Sequence, residues 1–419
     1  MSINNSVFGF LTIDEAIKKH QLDNTCLQKL IKNGFIHLRT HAGKVFLSSF
    51  SSVLLSSLCD NQQLMEELQG IEHSFSIDRH PEIIPYLPYH DFVDRFCWLI
   101  KFYYSEKIEV KTKRYKLDAL LQRYLLKNEF SMEKLSKTLS INQDIKSLIF
   151  HIQKGWYNEI IRSTPLDPDF LNVGTNIKKV NYGESTTFSW NIIQSYYAIY
   201  EFTSSLVSSF YGDFNSEEHQ KPAKLFNTCI SDISKKSAIF FPFLFSSESL
   251  KNAIIYPDYL IKYKYSKHPR NSSKTIQDIE SDVIDAFLAL KQKKKTNHKV
   301  TLIDFMFDFR VWANYTGIET ILELEDGGYL QFLKKNLGVL IFFYAAMSEL
   351  CVIAKLGEPE FMKLVDRFSN GYLLKNPKLA DNRFLIPLFV RLRIYKHMGF
   401  IKNDIPYLFP QLRDPVTLL

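Results

Sequence analysis

Two residues near the C-terminal end of the chain have types and spacing suited to handling a phosphodiester. In RLRIYKH, residues 391–397, five residues separate Arg391 from His397. A histidine with a pKa near neutrality can move protons at a 2′-hydroxyl and a leaving oxygen, while an arginine stabilises charge on the phosphoryl oxygens. Six positions along one helix, however, set two side chains about 120° apart. Met398 and Gly399 read as a helix end, where Lys396 and His397 complement the helix dipole. A second place, in FRVWANY, offers Arg310 followed by Asn314 and Tyr315. Asparagine does not titrate near neutral pH, so this position lacks a base, and a local hydrogen bond between Arg310 and Asn314 one turn on is the expectation.

The other chemistry on offer is recognition. In residues 24–32, Leu27, Leu30 and Ile31 fall on one helical face, and Thr25, Gln28, Lys29 and Lys32 fall on the other. An apolar back with a front of amide, hydroxyl and ammonium groups is what a helix needs to lie in a major groove and meet base edges and phosphates. Residues 35–39 and 44–47 are expected to pair as a hairpin across residues 40–43, a basic wing carrying Arg39, His41 and Lys44. The densest charge run, KQKKKTNHK at 291–299, includes Lys293, Lys294 and Lys295. A solvated loop is its simplest reading, and a phosphate-contacting loop with steeply salt-dependent binding is its functional one.

These residues need elements to position them. Thr12 and Glu15 have capping-box spacing for a first helix, Asp23 suits the start of a second running to about Lys32, and Gly34 suits its exit. Prolines at 81, 85 and 88 mark a connector. Periodic helices follow over 91–165, with a weaker helix-turn-helix pattern at 132–149 in which Lys134, Lys137 and Lys146 face outward. Residues 190–211 are apolar nearly all round, so that helix must be buried by its own domain or by a partner subunit. Residues 337–354 are about long enough to cross a bilayer at ~20 residues. Ser348 and Glu349 interrupt them, which favours a buried core helix and no membrane partner.

The reading is a mainly α chain: a module at 1–60, a linker at 61–90, a helical connector at 91–165, a helical bundle at 166–356 with an insertion near 240–300, and a helical tail at 357–419. The net charge of +7 permits contact with nucleic acid without requiring it. The five cysteines are odd in number and scattered, with no C-x-x-C pair, so a reducing, cytoplasmic setting without a zinc site is expected. The first residues lack the basic-then-apolar pattern of a secretory signal. No phosphate-cradling glycine loop, H-E-x-x-H or G-x-S-x-G turn occurs, and no cofactor is expected.

Two resemblances add to this. FLTIDEA at 10–16, LQKLIKNGFI at 27–36 and Gly43-Lys44 resemble the excisionase/MerR-like winged helix-turn-helix family, although Asp23-Asn24-Thr25 stands in place of its usual Gly-Val-Ser turn. SYYAIY at 195–200, HQKPAKLF at 219–226 and FRVWANY at 309–315, in that order, resemble the HEPN helical domain. The first implies double-stranded DNA as partner. The second implies a four- to five-helix bundle that dimerises or binds protein partners through the 190–211 helix, found in toxins and defence proteins. Many members are metal-independent ribonucleases that use an arginine followed by a histidine, which makes RNA the alternative substrate and Arg391 with His397 the alternative site. The resulting expectation is a DNA-binding regulator or accessory subunit of a defence or mobile-element system with a non-catalytic bundle. The alternatives are a targeted ribonuclease and a purely structural subunit.

Overall fold

The computed structural model describes residues 13–20, 24, 27–28, 38–41, 44–47, 88–112, 114–139, 145–163, 182–212, 228–233, 240–246, 250, 256, 258–261, 264–265, 274–293, 300–315, 327–375 and 385–402. The elements in chain order begin with α1 (Ile13–His20), β1 (Leu38–His41) and β2 (Lys44–Leu47). Next come α2 (Pro88–Tyr103), α3 (Lys107–Thr112), α4 (Leu117–Lys127), α5 (Met132–Thr138), α6 (Lys146–Ser163) and α7 (Tyr182–Tyr211). The last set is α8 (Asp258–Ile261), β3 (Lys264–Tyr265), β4 (Lys274–Thr275), α9 (Ile276–Lys293), α10 (Leu302–Tyr315), α11 (Gly327–Leu356), α12 (Glu358–Lys375) and α13 (Ile386–His397). The chain is mainly α.

It divides into two compact units, residues 1–86 with 168–189 and 312–330, and residues 87–167 with 190–311 and 331–419. The divisions expected at 165 and 356 do not separate compact bodies. The connector, most of the expected bundle and the C-terminal helix share one unit, because side chains from α6, α11 and α13 close on one another in its interior.

Local sequence sets where the helices start. Ser131 caps α5 by accepting from the Lys134 N–H. At the head of α9 the Thr275 N–H donates to Asp278 Oδ2 at 2.6 Å, and the Asp278 N–H donates back to Thr275 Oγ1 at 3.2 Å. Thr301 and Asp304 repeat part of that exchange before α10. Each reciprocal pair satisfies backbone donors that a helix start leaves open.

The larger unit is held by aromatic packing around α11. All residues from 340 to 353 are buried. The Phe343 ring stacks on Phe243 with centroids 5.1 Å apart, and Tyr344 Oη donates to the Phe243 carbonyl at 2.7 Å. On the other side, α2 and α9 lie together, with Phe92 edge-on to Phe287 at 5.0 Å and Arg95 paired with Asp282 at 2.8 Å. This is one helix long and apolar enough to cross a membrane, at Leu333–Leu356, and most of it is covered by the chain itself. α7 is likewise enclosed by its own unit: over 191–210 all side chains are buried except Ile193, Tyr197 and Tyr200. α6 can approach it closely because Gly155 has no side chain; a Cβ there would lie 2.5 Å from the Phe202 ring.

Candidate functional site

In the smaller unit, α1 leaves Asp14, Glu15 and Lys18 exposed and lies against β2. Asn24, Leu27 and Gln28 are helical; Leu27 is fully buried, whereas Asn24 and Gln28 are exposed. The burial therefore alternates as a one-sided helix requires. Thr25, Lys29 and Lys32 lie outside the described residues, as do Thr12, Asp23 and Gly34. β1 and β2 pair antiparallel, with Arg39 opposite Phe46 and His41 opposite Lys44. By the two-residue alternation of a paired ribbon, positions 39, 41 and 44 fall on one face and positions 38, 45 and 47 on the other. Lys293 is the last residue of α9; Lys294 and Lys295 lie outside the described residues.

In the larger unit, Arg391 is fully buried and ringed by acceptors. Its Nη1 and Nη2 donate to Glu159 Oε1 and Oε2 at 2.8 and 2.9 Å, a bidentate fork across 232 positions of sequence. Nε and Nη2 donate to Glu349 at 2.8 to 3.1 Å. Glu349 also accepts from Trp156 Nε1 at 2.8 Å and Tyr395 Oη at 2.7 Å. The guanidinium carbon lies 5.3 Å from the Phe342 ring centroid. Burial alone would make the guanidinium easier to deprotonate, but the carboxylates of Glu159 and Glu349 reverse this and hold it more firmly protonated than usual. Burial pushes the Glu349 carboxyl above its ordinary range, opposed by Arg391. Arg162, one turn beyond Glu159, is lowered to about 10 by burial, and the Glu159 charge works against that shift.

His397 does not join this group. It ends α13 as an exposed residue, and Gly399 then turns the chain with a φ of 75°. The expected pair of Arg391 and His397 is thus not assembled: one member is sealed among carboxylates and the other faces solvent. The geometric cause is the one anticipated, six positions on a helix with only one side facing the core.

Arg310 follows neither expectation made for it. Its Nη1 donates to Tyr197 Oη on α7 at 2.9 Å rather than to Asn314. The guanidinium carbon stands 5.3, 5.7 and 5.0 Å from the ring centroids of Tyr196, Tyr197 and Phe307. Aromatic faces attract the cation and the phenol gives it an acceptor, so the amide of Asn314 is not needed. Asn314 is exposed, and Tyr315 is the last residue of α10.

Sequence reasoning did not find the roles of Glu159, Trp156 and Tyr395. A signal existed: Glu349 sits within an otherwise apolar run, and a carboxylate at such a place demands a buried cation. Nothing local says which cation. Comparison of the chain with protein-family models, with curated proteins and with solved structures finds no match.

Proposed function

We propose that this protein is a DNA-docked regulator or accessory subunit: a winged helix-turn-helix in the smaller unit engages duplex DNA, and the larger helical unit, HEPN-like, serves as a non-catalytic body for dimerisation or partner binding. The observation that carries this reading is the division at residues 24–28, where Leu27 is buried while Asn24 and Gln28 stay exposed. An interface helix must be anchored from behind and keep donors and acceptors in front. The paired ribbon, with positions 39, 41 and 44 on one face, supports the same reading by offering basic residues beside that helix in sequence.

The non-catalytic role of the body is supported by Arg391. An arginine that already donates to two carboxylates has no free edge for a phosphate, and His397 is not within its group. A defence or mobile-element setting follows only from the resemblance.

The test is a band-shift titration of the full chain against duplex DNA at moderate salt, comparing the parent with Lys29→Ala plus Lys32→Ala. Each lysine that neutralises a phosphate contributes about 0.9 to the slope of log affinity against log salt. The double variant should bind at least tenfold more weakly with a shallower slope. Equal affinity and slope would remove the proposal.

A further inference from the structure

The outward face of α6 carries an alternating line of cations and rings. Lys146, Phe150, Lys154 and Tyr157 are all exposed, Phe150 at 52% and Tyr157 at 50%. At 3.6 residues per turn these four positions fall within about 80° of one another and run about 16 Å along the helix. Lys154 Nζ lies over the Phe150 ring, 4.1 Å from its centroid, and 3.9 Å from Glu201 Oε1 on α7. Glu201 is itself engaged by the buried His151, whose Nδ1 lies 2.5 Å from Glu201 Oε2. The line is therefore braced from beneath. The one carboxylate belonging to α6, Glu159, points inward to Arg391 and adds no negative charge to this face.

We infer that this face of α6 is a binding track for single-stranded nucleic acid, with Phe150 and Tyr157 as stacking platforms for bases and Lys146 and Lys154 as contacts to the phosphates between them. The chemistry selects the occupant. A polyanion alone would not call for half-exposed rings, and a protein groove would not call for a lysine between every pair of rings. A membrane surface favours a continuous apolar face with cations at its margins, because a lysine within the line would be driven into the acyl region. A duplex keeps its base faces covered by stacking. A single strand offers planar apolar faces and negative charge in alternation, and it is bound in this manner by interleaved aromatic and basic side chains. The two rings are seven positions, about 10 Å, apart along the axis, so each serves a separate base. This inference stands apart from the duplex-binding proposal, which rests on residues of the other unit.

Fluorescence anisotropy of the full chain with labelled dT20 and rU20 tests it, with the same duplex used for the band shift and vesicles rich in phosphatidylserine as competitors. Phe150→Ala plus Tyr157→Ala removes exposed rings, so the helical circular dichroism should match the parent. Binding of the single strand should fall at least about tenfold, as expected for losing two stacking partners, while the duplex band shift stays unchanged. Lys146→Ala plus Lys154→Ala should reduce the salt slope by about 1.4, two single-strand phosphate contacts. The difference between dT20 and rU20 identifies whether the sugar is read. Lys29→Ala plus Lys32→Ala should leave single-strand binding intact. The inference is overturned if the ring variant binds the oligonucleotides as the parent does, if the parent binds neither of them, or if vesicles bind through these rings while oligonucleotides do not compete.

Discussion

Arg391 illustrates how one residue can carry an appearance of catalysis and a purely architectural duty. Its guanidinium meets both oxygens of Glu159 and both of Glu349, with Trp156 and Tyr395 filling further acceptor positions on Glu349. Such an arrangement tolerates burial only while every member is present, because the desolvation cost of each charge is met by its neighbours. Arg391→Ala leaves two carboxylates facing each other in an apolar interior. It should cost about 3–5 kcal/mol, read as a fall in the urea midpoint by fluorescence of the tryptophans. His397→Ala should move that midpoint no more than an ordinary surface substitution does. Comparable losses from both would contradict the assignment of separate roles. The sequence places these residues six apart and invites their pairing, whereas the partners that matter stand 42 and 232 positions away from Arg391. Distance along the chain, rather than residue chemistry, is what concealed the site. Arg310 teaches the same lesson: Asn314 was near in sequence, but Tyr197, 113 positions away, takes the hydrogen bond.

Among the elements, the ones most legible beforehand were α7 and α11. Both are apolar on nearly all sides, and a helix with no polar stripe has to be enclosed. What periodicity did not reveal was the enclosing neighbour. For α7 one neighbour is α6, and Gly155 sets their separation by leaving room for Phe202. Gly155→Ala would place a methyl 2.5 Å from that ring. Overpacking of this kind costs about 1–3 kcal/mol, so the thermal midpoint should drop, and Phe202→Leu added to Gly155→Ala should recover part of the loss. A midpoint unchanged by Gly155→Ala would mean that the two helices separate without penalty. The caps at Thr275–Asp278 follow from short-range spacing alone. The N-terminal capping residues Thr12 and Asp23 fall outside the described residues, so the limits of the second helix rest on sequence.

At the level of the whole molecule, stability should carry the mark of Glu349. Its carboxyl binds its proton more tightly in the folded chain than the ordinary carboxylate near 4.5, because burial disfavours the charged form. Between that ordinary value and the raised one, the folded state holds a proton that the unfolded state has released. Stability therefore falls with rising pH across this interval on account of Glu349. Unfolding free energies measured in urea from pH 4 upward should show the parent losing its advantage over Glu349→Gln as pH rises. A constant or growing advantage would mean that Arg391 outweighs burial. The mainly α character was readable from composition and period. The grouping into units was not, because it depends on ion pairs and ring contacts that join residues from distant segments.

The same linkage orders events during synthesis. Glu159 is translated 232 residues before Arg391, and Glu349 precedes it by 42. At about 5–20 residues per second, the first carboxylate exists for roughly 12–46 s, and the second for roughly 2–8 s, before their shared cation is made. During that time α6 and α11 have no guanidinium to close upon. The nascent chain must keep this region hydrated or held by a chaperone, and its final locking belongs to the last helix to leave the ribosome.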